Sequence, residues 1–420
     1  MDFFGRGRGL RVTIPAMNKP LRSRMERVSE RASATNLELF FDLVFVFALT
    51  QVTALMAESP VKWDALLRGA LLLSVIWWSW IGYSWLSNLV KADEGLARMA
   101  MLTAMAAMFL LALAIPEAFQ DISGGLDGPL VLAFCYLAVR VVHIWLFWIA
   151  ANDDAELRAQ LVRFVPSMVA GTTLLAVASQ LTGAAQIAVW AAAVVADYGG
   201  TMLIGTKGWR LSSAKHFTER YGLIIMIALG ESIVAIGVGV THLAISWPII
   251  LAAMLGLAIA SALWWSYFDT HVLAAEQALA EARGNERVRM GQIAFTYLHL
   301  PLLIGIVMLA LGLKKVLNYV GGEDGHTLTD PLYGPALWAM YGGVALFMFA
   351  YVAVGWRTTR NFKVQRVILG VVLLAVAPLM SYLPALASLG LLTALLLALI
   401  IYEWFKYHDL REEIRHAEPS

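Results

Sequence analysis

Charge and cysteine are both scarce in this chain, and each scarcity excludes something. Only 15% of the 420 residues are charged while 60% are hydrophobic; a water-soluble domain carries roughly 25% charge. A soluble globular fold is therefore excluded. The single cysteine, Cys135, lies inside an apolar run, so no internal disulfide can form. Its ordinary role is that of a small buried hydrophobe. Catalytic signatures are missing too. The chain has no HExxH, no Walker A loop and no nucleophile elbow, and its eight histidines are scattered. Neither an enzyme nor a cofactor or metal centre is expected. Gaps between apolar segments reach only about 20 residues, too short for a soluble catalytic domain. The net charge of +1 points to no particular partner.

What is present is apolar sequence in runs of about 20 residues, long enough to cross a roughly 30 Å hydrocarbon layer. A β-barrel would show short alternating segments instead. The fold class expected is an all-α polytopic membrane protein of about twelve spans. They are drawn at 37–57, 66–87, 97–115, 129–151, 162–181, 184–205, 220–241, 247–269, 290–313, 334–356, 365–383 and 385–405. The last two are divided only by Tyr382, Leu383 and Pro384. No cleavable signal peptide is expected, because the segment before the first span is basic and about 36 residues long, far longer than a signal n-region.

Lysine and arginine orient the spans. With the tail 1–36 in the cytoplasm, 26 of the 31 basic residues fall on the cytoplasmic side. Lys62, Arg68, Lys314 and Lys315 are outside, and Arg140 lies within a span. Both termini, 1–36 and 406–420, are then cytoplasmic. The basic tail suits contact with anionic lipid better than with nucleic acid.

The chain also repeats itself. LVFVFALTQ at 43–51 returns as LIIMIALGE at 223–231, and SVIWWSW at 74–80 as SALWWSY at 261–267. GPLVLA at 128–133 returns as GPALWA at 334–339, and LLAVA at 174–178 returns at 373–377. Four matches in one order point to two six-helix halves, 37–205 and 220–405. With six spans each, the halves face the same way, as a parallel repeat.

Charge at depth marks the candidate site. An ionised group near the bilayer centre costs at least about 2.5–3.5 kcal/mol on insertion scales. Counted from their span starts, Glu231, Arg140 and Asp197 share one level near the midplane, with His143 on the face of Arg140. One reading is a buried ion pair, Arg140 with Glu231 or Asp197, that fixes helix packing. The other is a protonatable or cation-binding site centred on Glu231, with Ser232 able to coordinate or relay a proton and Gly230 allowing close approach. The first span adds two more acids. Thr35-x-x-Glu38 has the form of a capping box, so Glu38 closes the helix end. Asp42, one turn deeper, is too far in to cap and must face the bundle interior or a vestibule. The tryptophans of WWSW fit core packing better than an interfacial belt, and their N–H groups require acceptors. His299, two residues before Pro301, marks a helix irregularity.

NLELFFDLVFVFALTQ, together with HFTERYGLIIMIALGESIVAIGVG at 216–239, resembles the bacterial low-temperature-requirement protein A family. The resemblance covers essentially the whole chain and includes WWSW. It implies a multi-pass bacterial inner-membrane protein. The family is named for a growth phenotype, which specifies no biochemical activity. A fainter likeness, carried by Phe40, Asp42, Val44, Phe45, Ala48, Leu49 and Thr50, is to two-repeat potassium channels marked by Phe-Ser-Asp. That likeness implies a structural role for Phe40 and Asp42 near the start of a pore-lining helix. Here Phe41 replaces the serine, and the second copy has Gly222 where the aspartate would stand.

The function expected is an ion or small-solute channel or transporter, proton-linked, along helices 1 and 7. Its candidate residues are Glu231, Ser232, Asp42, Arg140, Asp197 and His143, and its candidate ligands are a proton or small cation. The alternative is a non-transporting membrane scaffold or stress-response accessory protein. A homodimer is compatible with either.

Overall fold

The computed structural model describes residues 28–30, 32–58, 60–152 and 154–407. The basic tail used to orient the chain lies almost wholly outside them. Among the described residues the protein is helical throughout. The first half contains α1 (Asn36–Met56), α2 (Trp63–Ser87), α3 (Gly95–Leu113), α4 (Gly128–Ala150), α5 (Ala155–Ala178) and α6 (Gly183–Ile204). The second contains α7 (Ala214–Gly239), α8 (Trp247–Phe268), the shorter α9 (His271–Glu281) and α10 (Gly284–Met290), then α11 (His299–Val320), α12 (Gly334–Thr359), α13 (Val364–Met380) and α14 (Ala385–Lys406).

Eleven helical stretches among the described residues are long and apolar enough to cross a membrane. One of the twelve segments drawn is shorter than expected, although it still runs between the two faces. The segment drawn as 365–383 is a helix of 17 residues, Val364–Met380, with Pro378 inside it. At 1.5 Å per residue it rises about 26 Å, near the lower limit for a span. It ends early because residues 381–384 turn into α14, where Pro384 stands at the N-cap and cannot continue a helix. The ninth span is also more elaborate than drawn. It begins on α10, passes through a π-helical turn at Gly291–Tyr297 and continues as α11. His299 closes that irregularity by bonding the Ala294 carbonyl through Nδ1 at 2.8 Å and Tyr267 through Nε2 at 2.8 Å.

Connections alternate between two faces. One carries the start of α1, the α2–α3, α4–α5 and α6–α7 links, and α9–α10. It is laced by ion pairs such as Arg210 with Asp154 and Glu156, and Arg357 with Glu286. On the other face the α11–α12 loop meets the α13–α14 turn, where the Ala385 amide donates to the Asp330 carbonyl at 2.9 Å.

Lipid tails are as apolar as leucine, so helix association in a membrane rests on close packing and internal polar bonds. Both are visible. The α11–α12 crossing is built on small residues: a Cβ added at Gly305 would lie 2.5 Å from the Gly343 carbonyl oxygen, and one at Gly343 would lie 2.6 Å from that of Gly305. Helix α2 is, equally with α12, the most enclosed of the spans, 72% buried over its apolar window. Its tryptophans Trp77, Trp78, Trp80 and Trp85 are core residues. Trp77 donates to the Thr296 carbonyl at 2.9 Å, Trp80 to Asp42 at 2.9 Å and Trp85 to the Thr296 hydroxyl at 3.0 Å.

Candidate functional site

The ends of α1 and α7 on the α2–α3 face meet in a closed polar network. Thr35 accepts from the Glu38 amide at 3.3 Å, and the Glu38 carboxylate accepts from the Thr35 amide at 2.8 Å, so the capping box forms. Glu38 does more than cap. Its carboxylate lies 3.0 Å from His216 Nε2 and 3.7 Å from Arg220 Nε. One turn deeper, Arg220 grips Asp42 through two parallel bonds of 2.9 Å, and Trp80 gives Asp42 a third. The Arg220 guanidinium lies 5.4 Å from the Trp80 ring centroid. Asn88 ties in the α6–α7 link by accepting from the Ser212 and Ser213 amides, and Ser213 caps α7 by accepting from the His216 amide. Apart from half-buried Thr35, these side chains are buried, so the charges are sustained by one another. Asp42 thus faces the bundle interior with a counter-ion of its own.

A second pair joins α4 to α6. Arg140 donates to Asp197 at 3.2 Å and Tyr136 donates to the other carboxylate oxygen at 2.5 Å. Both charged residues are buried. The Arg140 guanidinium also lies 4.9 Å from the Phe164 ring centroid. His143, one turn on, is buried against Gly82 and Phe147.

Glu231 belongs to neither cluster. It is 2% exposed and its carboxylate takes a 2.6 Å bond from the Thr50 hydroxyl on α1. The expected common level with Arg140 and Asp197 does not hold. The span drawn from Arg220 begins at Ala214, with Arg220 itself buried, so Glu231 lies 17 residues, about 25 Å, along α7. Neighbouring Ser232 is fully buried and its hydroxyl has no hydrogen-bond partner.

Five acids are buried among the described residues: Glu38, Asp42, Asp197, Glu231 and Glu403. Four have a basic partner. Arg366 holds Glu403 through Nε at 2.9 Å and Nη2 at 2.5 Å, and the others are paired as above. Glu231 alone has none within ion-pairing distance; the charge of Lys314 reaches it only from farther off.

Sequence reasoning missed His216, Arg220, Arg366 and Glu403. The first two carried a usable signal. Glu38 and Asp42 are four apart on α1, His216 and Arg220 are four apart on α7, and both contacts span 178 positions. Two helices with matching four-residue charge spacing can zip acid to base. Arg220 stands at the start of the span drawn at 220–241, where its charge reads as a boundary.

Residues 33–401 match the family described as bacterial low temperature requirement A protein. An uncharacterized protein of Rhizobium meliloti (strain 1021) is 25% identical over 400 residues, covering 91% of this chain and 92% of that one. No solved structure matches the chain.

Proposed function

The chain belongs to the bacterial low temperature requirement A family, and from that premise we propose that it is an ion or small-solute transport protein with a protonatable site at Glu231. The observation that carries this reading is the missing counter-ion. A carboxylate enclosed in a membrane span is costly unless paired, hydrated or protonated. The hydrogens favour the last. Thr50 Oγ1 is 3.1 Å from the Val46 carbonyl and 2.6 Å from Glu231, yet a hydroxyl has one hydrogen to give. A proton on Glu231 lets it donate to Thr50 while Thr50 donates to Val46, and every group is satisfied without net charge. Loss of that proton leaves a charge that draws in water or a cation. The α1–α7 contact is therefore suited to a site that loads and unloads.

The order of helix contacts supports the parallel repeat. In the first half α1 packs on α2 and α3, α3 on α4, α4 on α5, α5 on α6, and α6 on α2. In the second, α7 packs on α8 and α11, α11 on α12, α12 on α13, α13 on α14, and α14 on α8. The reading does not rest on a symmetric potassium pore, since Gly222, against Phe268, supplies no second acid. The face bearing α9 and α10 is assigned to the cytoplasm by its basic residues, and the membrane to the bacterial inner membrane.

Reconstituted in liposomes, the wild-type protein is expected to give a pH-dependent flux, and Glu231→Gln to abolish or reshape it while still eluting as a folded species. Absence of flux for protons, alkali cations and common metabolites would favour the scaffold alternative, which draws on the closed Asp42–Arg220 and Arg140–Asp197 pairs.

A further inference from the structure

Between α2, α4 and the π-helical turn lies a small cavity of ≈ 50 Å³ whose lining includes Trp78, Arg140, His143, Phe164, Gln292 and Thr296. It has no part in the Glu231 reading. Three of these side chains carry buried polar atoms without partners: Trp78 Nε1, Arg140 Nε, and both ring nitrogens of His143. Their exposures are 3%, 1% and 3%. The His143 ring rests on Gly82 without a bond in acceptable geometry. The contrast within one helix is sharp, because Trp77, Trp80 and Trp85 all found acceptors. Buried orphan donors normally have a ligand or water to meet them.

The orphans define the ligand. Indole N–H and guanidinium Nε–H can only donate, and an imidazole carries at least one further N–H. The ligand must be an acceptor. Arg140 has already given one N–H to Asp197, and its Nε is left over for a second, charge-assisted bond. The volume sets the size. A buried water needs about 10–15 Å³ of such space, so the cavity holds a few heavy atoms and no amphipathic tail. The π-helical turn, a feature frequent at functional sites, places Gln292 and Thr296 on the wall. Entry is also indicated. Trp209 and Val288 line both this cavity and a wide vestibule of ≈ 970 Å³ on the face of α9 and α10, whose wall carries Lys207, Arg283 and Arg287 together with Asp154 and Glu156.

We infer that this cavity is a binding site for a small monovalent anion, reached from the α9–α10 face past Trp209 and Val288. Chloride is the probe. Chlorine magnetic resonance of the full-length protein in non-ionic detergent should show excess line width that bromide and nitrate displace. Trp78→Phe, which removes the indole N–H and keeps an aromatic ring, should weaken chloride binding about tenfold, the worth of one charge-assisted hydrogen bond. Val288→Trp, which fills the neck, should abolish the displaceable broadening even though it removes no donor. Both variants are first checked for an unchanged elution profile. No displaceable broadening in the wild type would mean that water alone fills the cavity and would overturn the inference. So would binding that both folded variants leave intact, because the anion would then sit elsewhere.

Discussion

At the scale of single residues the buried charges differ in what their removal should do. Asp42 holds Arg220 through two bonds and also accepts from Trp80, so Asp42→Ala leaves the buried guanidinium with only the longer 3.7 Å contact to Glu38. Breaking such a pair typically costs about 3–5 kcal/mol. Thermal unfolding in detergent should show that loss. The double variant Asp42→Leu with Arg220→Met should recover part of it, since replacing both charges removes the unpaired ion. A double variant no more stable than Asp42→Ala would argue against a mainly electrostatic penalty. Glu231→Gln should behave differently. It removes no ion pair, so it should shift the unfolding midpoint little, and its effect should appear in flux. At the helix end, Thr35→Ala removes a capping oxygen and should cost about 1 kcal/mol.

At the scale of elements, the α11–α12 crossing is the tightest place to intervene. The Gly305 and Gly343 backbones approach so closely that a Cβ on either would meet a carbonyl oxygen at 2.5–2.6 Å. Backbone cannot swing aside as a long side chain can. Gly305→Val should therefore destabilise by about 1–3 kcal/mol or more, the range for overpacking, with lower yield of folded protein as the readout. Gly230→Ala is the control. A Cβ there meets nothing within 4 Å, and Gly230 lies mid-helix, so this change should be tolerated. The absence of neighbours also removes the expectation that Gly230 permits a close approach at the Glu231 site.

At the scale of the whole molecule, orientation is the property to test. With Cys135 replaced, a cysteine at Lys207 should react with an impermeant thiol reagent only after the cells are opened. A cysteine at Leu328, on the α11–α12 loop, should react in intact cells. The reverse pattern would invert the assignment of faces, and with it the side from which the small cavity is entered.

Much of this protein could be read without coordinates because the controlling interactions are local. Hydrophobic run length fixed the membrane class and most span boundaries, since each helix satisfies its own backbone in lipid. The Thr35–Glu38 cap was legible because both partners lie within one turn. The pairing of charges was legible only for Arg140, since Asp197 is one of the two partners read for it from the sequence. Glu38 finds His216 and Asp42 finds Arg220 across 178 positions, while Arg140 meets Asp197 across 57. Periodicity gives the face of a helix but not the neighbour it turns to. The sequence alone could say that buried acids need company; only the packing of α1 against α7 decided that Glu231 would have a hydroxyl beside it and no base.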